Sequence, residues 1–420
     1  MMATPTQRIA LISVHGDPAI AIGKEEAGGQ NVYVQQVGIA LSRLGWQVDM
    51  FTRQTSQQPA IVEHTPTCRT IRLTAGPEDF VPRDEIFSYL PEFVEALLDF
   101  QQAHGRYPIV HTNYWLSAWV GMTWKQRQKG LVQVHTYHSL GAVKYRSVDD
   151  VPPIAATRLE TEKRVLETAE RTIATSPQEE ADMRSLVSSD GNVVVIPCGT
   201  DIERFGQVSQ QDARQQLGIS LEALMVFYIG RFDRRKGIET LVRAVGQSAF
   251  RGAPNLYLVI GGGSRPGRSD GIERDRIEGI VAELGLTDCT TFPGRISDND
   301  LPLYYAAADL CVVPSHYEPF GLVAIEAMAS GTPVVASQVG GLQYTVSAEE
   351  TGLLAPPKDA EAFSTAIDRL LHDQSWREQL GKAARKRVEE HFSWQGVARQ
   401  LDQLYREVSS AAVVADSSTL

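Results

Sequence analysis

The chain has 420 residues, 43% of them hydrophobic and 22% charged, a balance ordinary for a globular protein and a length that suits two cores of about 200 residues better than one. A net charge of -11 argues against a general nucleic-acid or anionic-membrane surface, though not against a local basic pocket for a small anion. Cys68, Cys198, Cys289 and Cys311 lack zinc, redox-pair or disulfide spacing, and no stretch approaches the roughly 18 apolar residues of a membrane span, so a cytoplasmic location is expected.

Taken in chain order, the same unit keeps returning. "RIALISVH" reads as a buried strand, with an apolar run too short for the core of a signal peptide. An acidic loop, "GKEEAGG", leads to a helix from about Gly29 to Leu44, with Val37, Ala40, Leu41 and Leu44 on one stripe and Gly45 as its stop. "WQVDMFT" is the next strand. "IVHTNYW" leads into the helix "LSAWVGMTWKQRQ". "LVQVHTYH" follows, then a charged helix ending near Glu170, "RTIATS" and "NVVVIPCGTD". After the polar stretch "GTDIERFGQVSQQDARQQLGIS" the pattern restarts, with strands "LMVFYIGRF", "NLYLVIGGG", "CTTFPGR", "LCVVPSHYE", "PVVASQVGG" and "TGLLAPP". Helices near Asp359–His372 and Trp376–His391 close it, and "VSSAAVVADSSTL" reads as a frayed end. Alternating strands and helices predict α/β architecture, two doubly wound Rossmann-like domains facing each other across a cleft. The boundaries are 1–203, 204–390, and 391–420 for a C-terminal helix, packing back on the N-terminal domain, and tail. Ligands of such sheets sit outside the carboxyl ends of the strands, where five of nine histidines (His15, His111, His135, His138, His316) are expected.

The most specific segment is "SHYEPFGLVAIEAMASGTPVVAS". Glu318 ends a strand, Pro319 and Gly321 make a sharp turn, and a helix begins near Leu322. Free N–H groups of Phe320, Gly321 and Leu322 would suit a phosphate, while Glu318 and Glu326 would suit neutral vicinal hydroxyls. In "YIGRFDRRKGIETL", Arg231 and Lys236 follow a strand and could stabilise a pyrophosphate leaving group, although a solvated basic loop explains the stretch nearly as well. "VIGGGSRPGRSDG" departs from the dinucleotide and P-loop patterns, so tight packing is the simpler reading. The paired glycines of "SQVGGLQYTV" fit either a ligand contact or a plain turn. "HTYHSLGAVKYRS" supplies His138, Ser139 and Lys144 in a loop able to hold an anionic acceptor. Arg83 lies upstream, and Arg158, Glu160, Glu162 and Lys163 sit on a helix whose charges mostly read as solvated. H-E-x-x-H, Cys–His cluster and G-x-S-x-G patterns are absent from the sequence.

"GRFDRRKG", "FPGRIS", "ADLCVVPSHYEPFGLVAIEAMASGTPVVAS" and "TGLLAPP" resemble the retaining GT-B glycosyltransferases of the sucrose-synthesis type, glycosyltransferase family four, and the likeness spans nearly the whole chain. "AGGQNVYV", "HTNYWLSAWVG" and "HTYHSLGAVK" narrow it to the sucrose-phosphate synthases in a minimal form without a phosphatase domain. The nearest rival, transferases of N-acetylglucosamine to inositol 3-phosphate, has methionine where this chain has Gln30. The resemblance implies UDP-glucose, or another NDP-glucose, as donor and fructose 6-phosphate as acceptor, with no metal or other cofactor. The small-molecule substrates would be its partners, with no nucleic acid or membrane, in a monomer or weak oligomer.

The resemblance also implies residue roles. Arg231 and Lys236 would hold the donor diphosphate, and Glu326 the ribose. Glu318 and the N–H groups of Phe320, Gly321 and Leu322 would hold the glucose and phosphate. Arg295 and Ile296 would flank the base, and His138 would contact the transferred sugar near its anomeric carbon. Gly28, Gly29 and Gln30 would approach donor and acceptor. Lys144 would bind the acceptor phosphate, with Arg83 and Arg158 as further candidates. His138, Arg231, Lys236 and Glu318 would be the catalytic set. The acceptor hydroxyl would attack on the face the diphosphate leaves, passing its proton to the leaving phosphate, with domain closure excluding water. A sucrose synthase, a nucleotide-sugar epimerase and a non-catalytic nucleotide-sugar sensor remain alternatives.

Overall fold

A computed structural model describes residues 7–20, 28–55, 58–147 and 151–417, except the side chains of Ser147 and of 412–417. The acidic loop ahead of Gly28 lies outside the described residues. The chain forms two compact units: Met1–Pro197 with Trp394–Leu420, and Cys198–Ser393.

The first unit runs β1 (Arg8–Ile12), α1 (Gly29–Arg43), β2 (Gln47–Arg53), β3 (Ile61–Thr65), β4 (Cys68–Leu73), α2 (Leu90–His104), β5 (Ile109–Asn113), α3 (Tyr114–Arg127), β6 (Val132–Thr136), α4 (Gly141–Lys144), α5 (Ala155–Thr168), β7 (Arg171–Ala174), α6 (Pro177–Leu186) and β8 (Val193–Val195). Its sheet order is β3-β4-β2-β1-β5-β6-β7-β8, parallel except for the β3–β4 pair. The direction of winding reverses between β1 and β5, which pair directly and place their carboxyl ends side by side. β1 and β5 are buried almost throughout, as strands covered on both faces must be. α1 buries Val34, Val37 and Leu41 at helical spacing and stops before Gly45, whose φ of 91° favours glycine.

The structure departs from the sequence pattern at several elements. "VEHTPTCRTIRL" and "LPEFVEALLDFQQAH" form the β3–β4 hairpin and α2, neither anticipated. β3 is half exposed at the sheet edge, so it carries no continuous apolar run to betray it. His111 and His135 lie inside β5 and β6 and are fully buried, rather than at a strand-end surface. His111 bonds Tyr405 and Thr136, and His135 bonds Thr112, which makes them core histidines.

The second unit runs α7 (Gln210–Leu217), β9 (Leu224–Ile229), α8 (Ile238–Gln247), β10 (Leu256–Gly261), α9 (Ser269–Glu283), β11 (Thr290–Gly294), α10 (Leu301–Ala307), β12 (Leu310–Val313), α11 (Leu322–Ala329), β13 (Val334–Ser337), α12 (Leu342–Thr345), β14 (Gly352–Ala355), α13 (Ala360–His372) and α14 (Gln374–His391). The all-parallel sheet has order β11-β10-β9-β12-β13-β14, the doubly wound dinucleotide order, with its switch point between β9 and β12. α8 and α13 bury Leu241, Val245, Phe363 and Ile367 in its core.

α15 (Trp394–Ser417) returns to the first unit, so the segment read as a frayed end is helical to Ser417. The Trp46 indole donates to Asp402 at 2.8 Å, His111 Nδ1 meets the Tyr405 hydroxyl at 2.7 Å, and Trp394 packs edge-on to Tyr33. Among the described residues no helix is long and apolar enough to cross a membrane.

Candidate active site

In the second unit the loops after β9 and β12 meet at the switch point. Asp233 caps the 3-10 turn Arg234–Lys236, accepting from the Arg235 amide at 3.0 Å, and His316 N–H donates to the Arg235 carbonyl at 2.7 Å. Gly237, at φ 67°, passes beneath Pro314, whose carbonyl oxygen would lie 2.0 Å from any Cβ there. These contacts bring Lys236 Nζ to 2.6 Å from Glu318 Oε2, so the predicted phosphate cation and the predicted sugar carboxylate are ion-paired. Ser315 donates to the same oxygen at 3.3 Å. Arg231 is exposed at the end of β9.

Gly321 takes φ 98° as the residue before α11, and Phe320 is buried on Phe392. The N–H groups of Phe320, Gly321 and Leu322 donate to nothing among the described residues, leaving the positive end of α11 open. The glycines of "SQVGGL" have a structural use, since a Cβ on Gly340 or Gly341 would lie 2.2 or 2.3 Å from the carbonyls of Glu318 or Pro319. Gly341 N–H also donates to the Glu318 carbonyl at 3.0 Å. These glycines let a second strand end buttress the Glu318–Gly321 turn.

Glu326, one turn into α11, accepts from the buried Tyr305 hydroxyl at 2.8 Å. Burial pushes its carboxyl up to about 7, against the opposing pull of that hydrogen bond and of Arg204. Arg295 and Ile296 follow β11, and a Cβ on Gly261 would lie 2.7 Å from Ile296 Cδ1. The glycine run after β10 is tightly packed, since Gly262 approaches the Gly230 carbonyl.

In the first unit, Gln30 and His138 both bond Asn113. Gln30 Nε2 donates to Ser13 Oγ at 2.9 Å and to the Asn113 carbonyl at 3.4 Å, while His138 Nε2 lies 2.9 Å from Asn113 Oδ1. His138 holds φ 60°, a left-handed conformation unusual for a side chain with Cβ. Gly28 is extended, and a Cβ there would meet nothing within 4 Å, so the fold imposes no need for glycine at 28. Gly29 opens α1 exposed.

The three cations proposed for an acceptor phosphate converge on two tyrosines. Arg83 and Arg158 lie 5.8 and 5.0 Å from the Tyr114 ring centroid, and Arg158 and Lys144 lie 5.6 and 5.7 Å from that of Tyr145. The His15 ring packs tilted against Tyr114, 4.6 Å between centroids, its pKa held low by burial and then by Arg83, His138 and Arg158. Tyr114 itself has φ 75°, strained for an aromatic residue opening a helix. Arg158 differs from its sequence reading. It is 1% exposed and donates to Glu162, the Tyr114 hydroxyl, and both the carbonyl and Oγ of Ser139. Its first work is therefore to hold the His138–Gly141 loop in place. Glu162, read as solvated, is buried and accepts from Arg158 and the Gly141 amide, while Glu160 and Lys163 are exposed. The four-residue spacing of Arg158 and Glu162 was the available signal for that pair. Asn113, Tyr114 and Tyr305 had none, because strand-end geometry and positive φ leave no mark on spacing. Among the described residues no group of three or more His, Cys, Asp or Glu could hold a metal ion.

Residues 27–204 match the family model "Glycosyltransferase Family 4" and residues 209–387 match "Glycosyl transferases group 1". The D-inositol 3-phosphate glycosyltransferase of Corynebacterium aurimucosum is 36% identical over 416 residues, covering 97% of each chain. The solved sucrose-phosphate synthase of Thermosynechococcus elongatus is 54% identical, with a TM-score of 0.88 over 96% of this chain and all of that one. Anabaena HepE, solved with UDP-glucose, shares the fold at 19% identity and a TM-score of 0.73, over 95% of this chain and 99% of its own. With both halves matched in order and relatives aligned along their full length, the chain belongs to the GT-B glycosyltransferases that join a family 4 domain to a group 1 domain.

Proposed function

We propose that this chain is a sucrose-phosphate synthase, transferring glucose from UDP-glucose to fructose 6-phosphate with retention of configuration. The observation that carries a phosphorylated acceptor is the placing of Arg83 and Lys144 on the rings of Tyr114 and Tyr145, two tyrosines that the buried Arg158, paired with Glu162, also contacts. Fixed cations on aromatic faces hold a phosphomonoester by charge and orientation together. The donor belongs to the second unit. Arg231, Lys236 and the open N-terminus of α11 would stabilise charge on the departing diphosphate. Glu326 would take the ribose hydroxyls, Glu318 those of the glucose, and Arg295 and Ile296 would flank the base. The leaving phosphate would take the acceptor proton, so these cations, rather than a metal, are assigned the charge stabilisation.

Fructose 6-phosphate is favoured by the likeness to the 54% identical synthase. The relatives at 36% and below, named for inositol 3-phosphate, favour a second reading with that acceptor, and the same basic cluster would suit it. UDP release measured with fructose 6-phosphate, inositol 3-phosphate, fructose and no acceptor separates these readings. Release only with fructose 6-phosphate, giving a sucrose phosphate ester, is the expected result. Release with inositol 3-phosphate alone would establish the second reading, fructose as a good acceptor would indicate a sucrose synthase, and no acceptor-dependent release would leave an epimerase or sensor.

A further inference from the structure

Asn113 ends β5 and immediately precedes α3. An asparagine there ordinarily turns its side chain back to cap the first amides of the helix. Asn113 makes no such cap. Its side chain, 1% exposed, donates from Nδ2 to the carbonyls of Ile12 and His111, both at 3.3 Å, and turns Oδ1 toward Nε2 of His138 at 2.9 Å. The two carbonyls fix the amide. Turned over, it would set Oδ1 against two carbonyl oxygens that cannot donate. Since Oδ1 only accepts, the proton of the 2.9 Å bond belongs to His138 Nε2. Burial pushes the His138 pKa down to about 3, so the ring is neutral and Nδ1 carries a lone pair. Among the described residues Nδ1 takes no hydrogen bond.

We propose that Asn113 is a positioning residue that fixes His138 as the Nε2–H tautomer, so that His138 meets a substrate hydroxyl through Nδ1 as a hydrogen-bond acceptor. The ring also packs in a T-shaped contact with Tyr33, 4.8 Å between centroids, and the left-handed backbone of His138 sets its direction. The titratable groups around it are His15 after β1, Tyr33 on α1, His111 on β5 and His135 on β6. Through its carbonyl Asn113 also receives Gln30, so one residue sets the two side chains assigned to the sugar substrates. The proton on Nε2 stands on the geometry of Asn113 and the bare Nδ1 on burial of the ring, whereas the use of Nδ1 on a hydroxyl rests on the transferase reading.

The test reads tautomer and activity separately. In the ligand-free full chain, 15N-labelled histidine reports which ring nitrogen is protonated, and His138→Gln identifies the His138 signal among nine histidines. The expected spectrum has Nε2 protonated and Nδ1 bare near neutral pH, with both tautomers appearing in Asn113→Ala. Protonation at Nδ1 in the wild type, or a signal that Asn113→Ala leaves unchanged, overturns the proposal whatever the substrates are. In Asn113→Asp a carboxylate faces Nε2 and favours the imidazolium, whose Nδ1 donates and no longer accepts. Transfer by Asn113→Asp should rise on the order of tenfold from about pH 6 to about pH 9, measured against wild type. A profile parallel to wild type overturns the proposed use of Nδ1. Spectra as expected, without turnover of any acceptor, would fell the transferase reading and keep the tautomer.

Discussion

At the scale of single residues, the informative groups are those whose environment departs from what their type suggests. Lys236 and Glu318 neutralise each other across the switch point at 2.6 Å. If Lys236 exchanges that partner for a leaving diphosphate, Lys236→Ala should lower kcat by roughly 10²-fold, as removal of one charge-stabilising donor does. Steady-state rates with UDP-glucose check this, and near-normal turnover would remove Lys236 from the diphosphate site. Glu326 carries a pH signature. Burial raises its carboxyl to about 7, so it is protonated below that pH and becomes a charged acceptor above it. By the same shift, its contribution to folding is present at acid pH and lost as pH rises through about 7. Donor binding moves the other way. The KM for the nucleotide sugar should fall several-fold from about pH 6 to about pH 8.5, and Glu326→Gln should flatten that dependence. A pH dependence retained in the glutamine variant would assign it to another group.

At the scale of elements, the site is a set of loops braced by glycines that sequence spacing left ambiguous. Gly341 faces only backbone, with the Pro319 carbonyl 2.3 Å and Phe320 Cα 2.5 Å from any added Cβ. Gly341→Ala must therefore push the Glu318–Gly321 turn aside, at a cost of about 1–3 kcal/mol. Thermal melts should show a Tm lower by several degrees together with a raised donor KM, and an unchanged melt would mean the turn yields freely. Most elements were legible beforehand. The strands β1, β9, β10, β12 and β13 are mostly apolar runs, and α11 begins at Leu322 as the Pro-Phe-Gly turn indicated. The β3–β4 hairpin was not legible, because an exposed edge needs no apolar run. Nor was the burial of Arg158 and Glu162. A helix face that would be solvated in isolation is here covered by the His138 loop and Tyr114, and only tertiary contacts reveal that.

At the scale of the molecule, the second unit is contiguous in sequence and the first is not. Ending the chain at Ser393 would uncover His111, Tyr33 and the Trp46 indole, which α15 partners. That truncation should abolish cooperative melting of the first unit, whereas residues 198–393 expressed alone should fold. Circular dichroism melts and protease resistance of both fragments check the pair, and a cooperative first unit without α15 would show that helix to be dispensable. The return of α15 also bears on how the protein is made. Trp46 waits 356 residues for Asp402, and His111 waits 294 for Tyr405. On the ribosome the whole of the second unit emerges before the first can complete its core, so vectorial synthesis lets the later unit close earlier. The half-built first unit must meanwhile keep an apolar helix face and a buried histidine exposed, and that interval is when it is most open to aggregation.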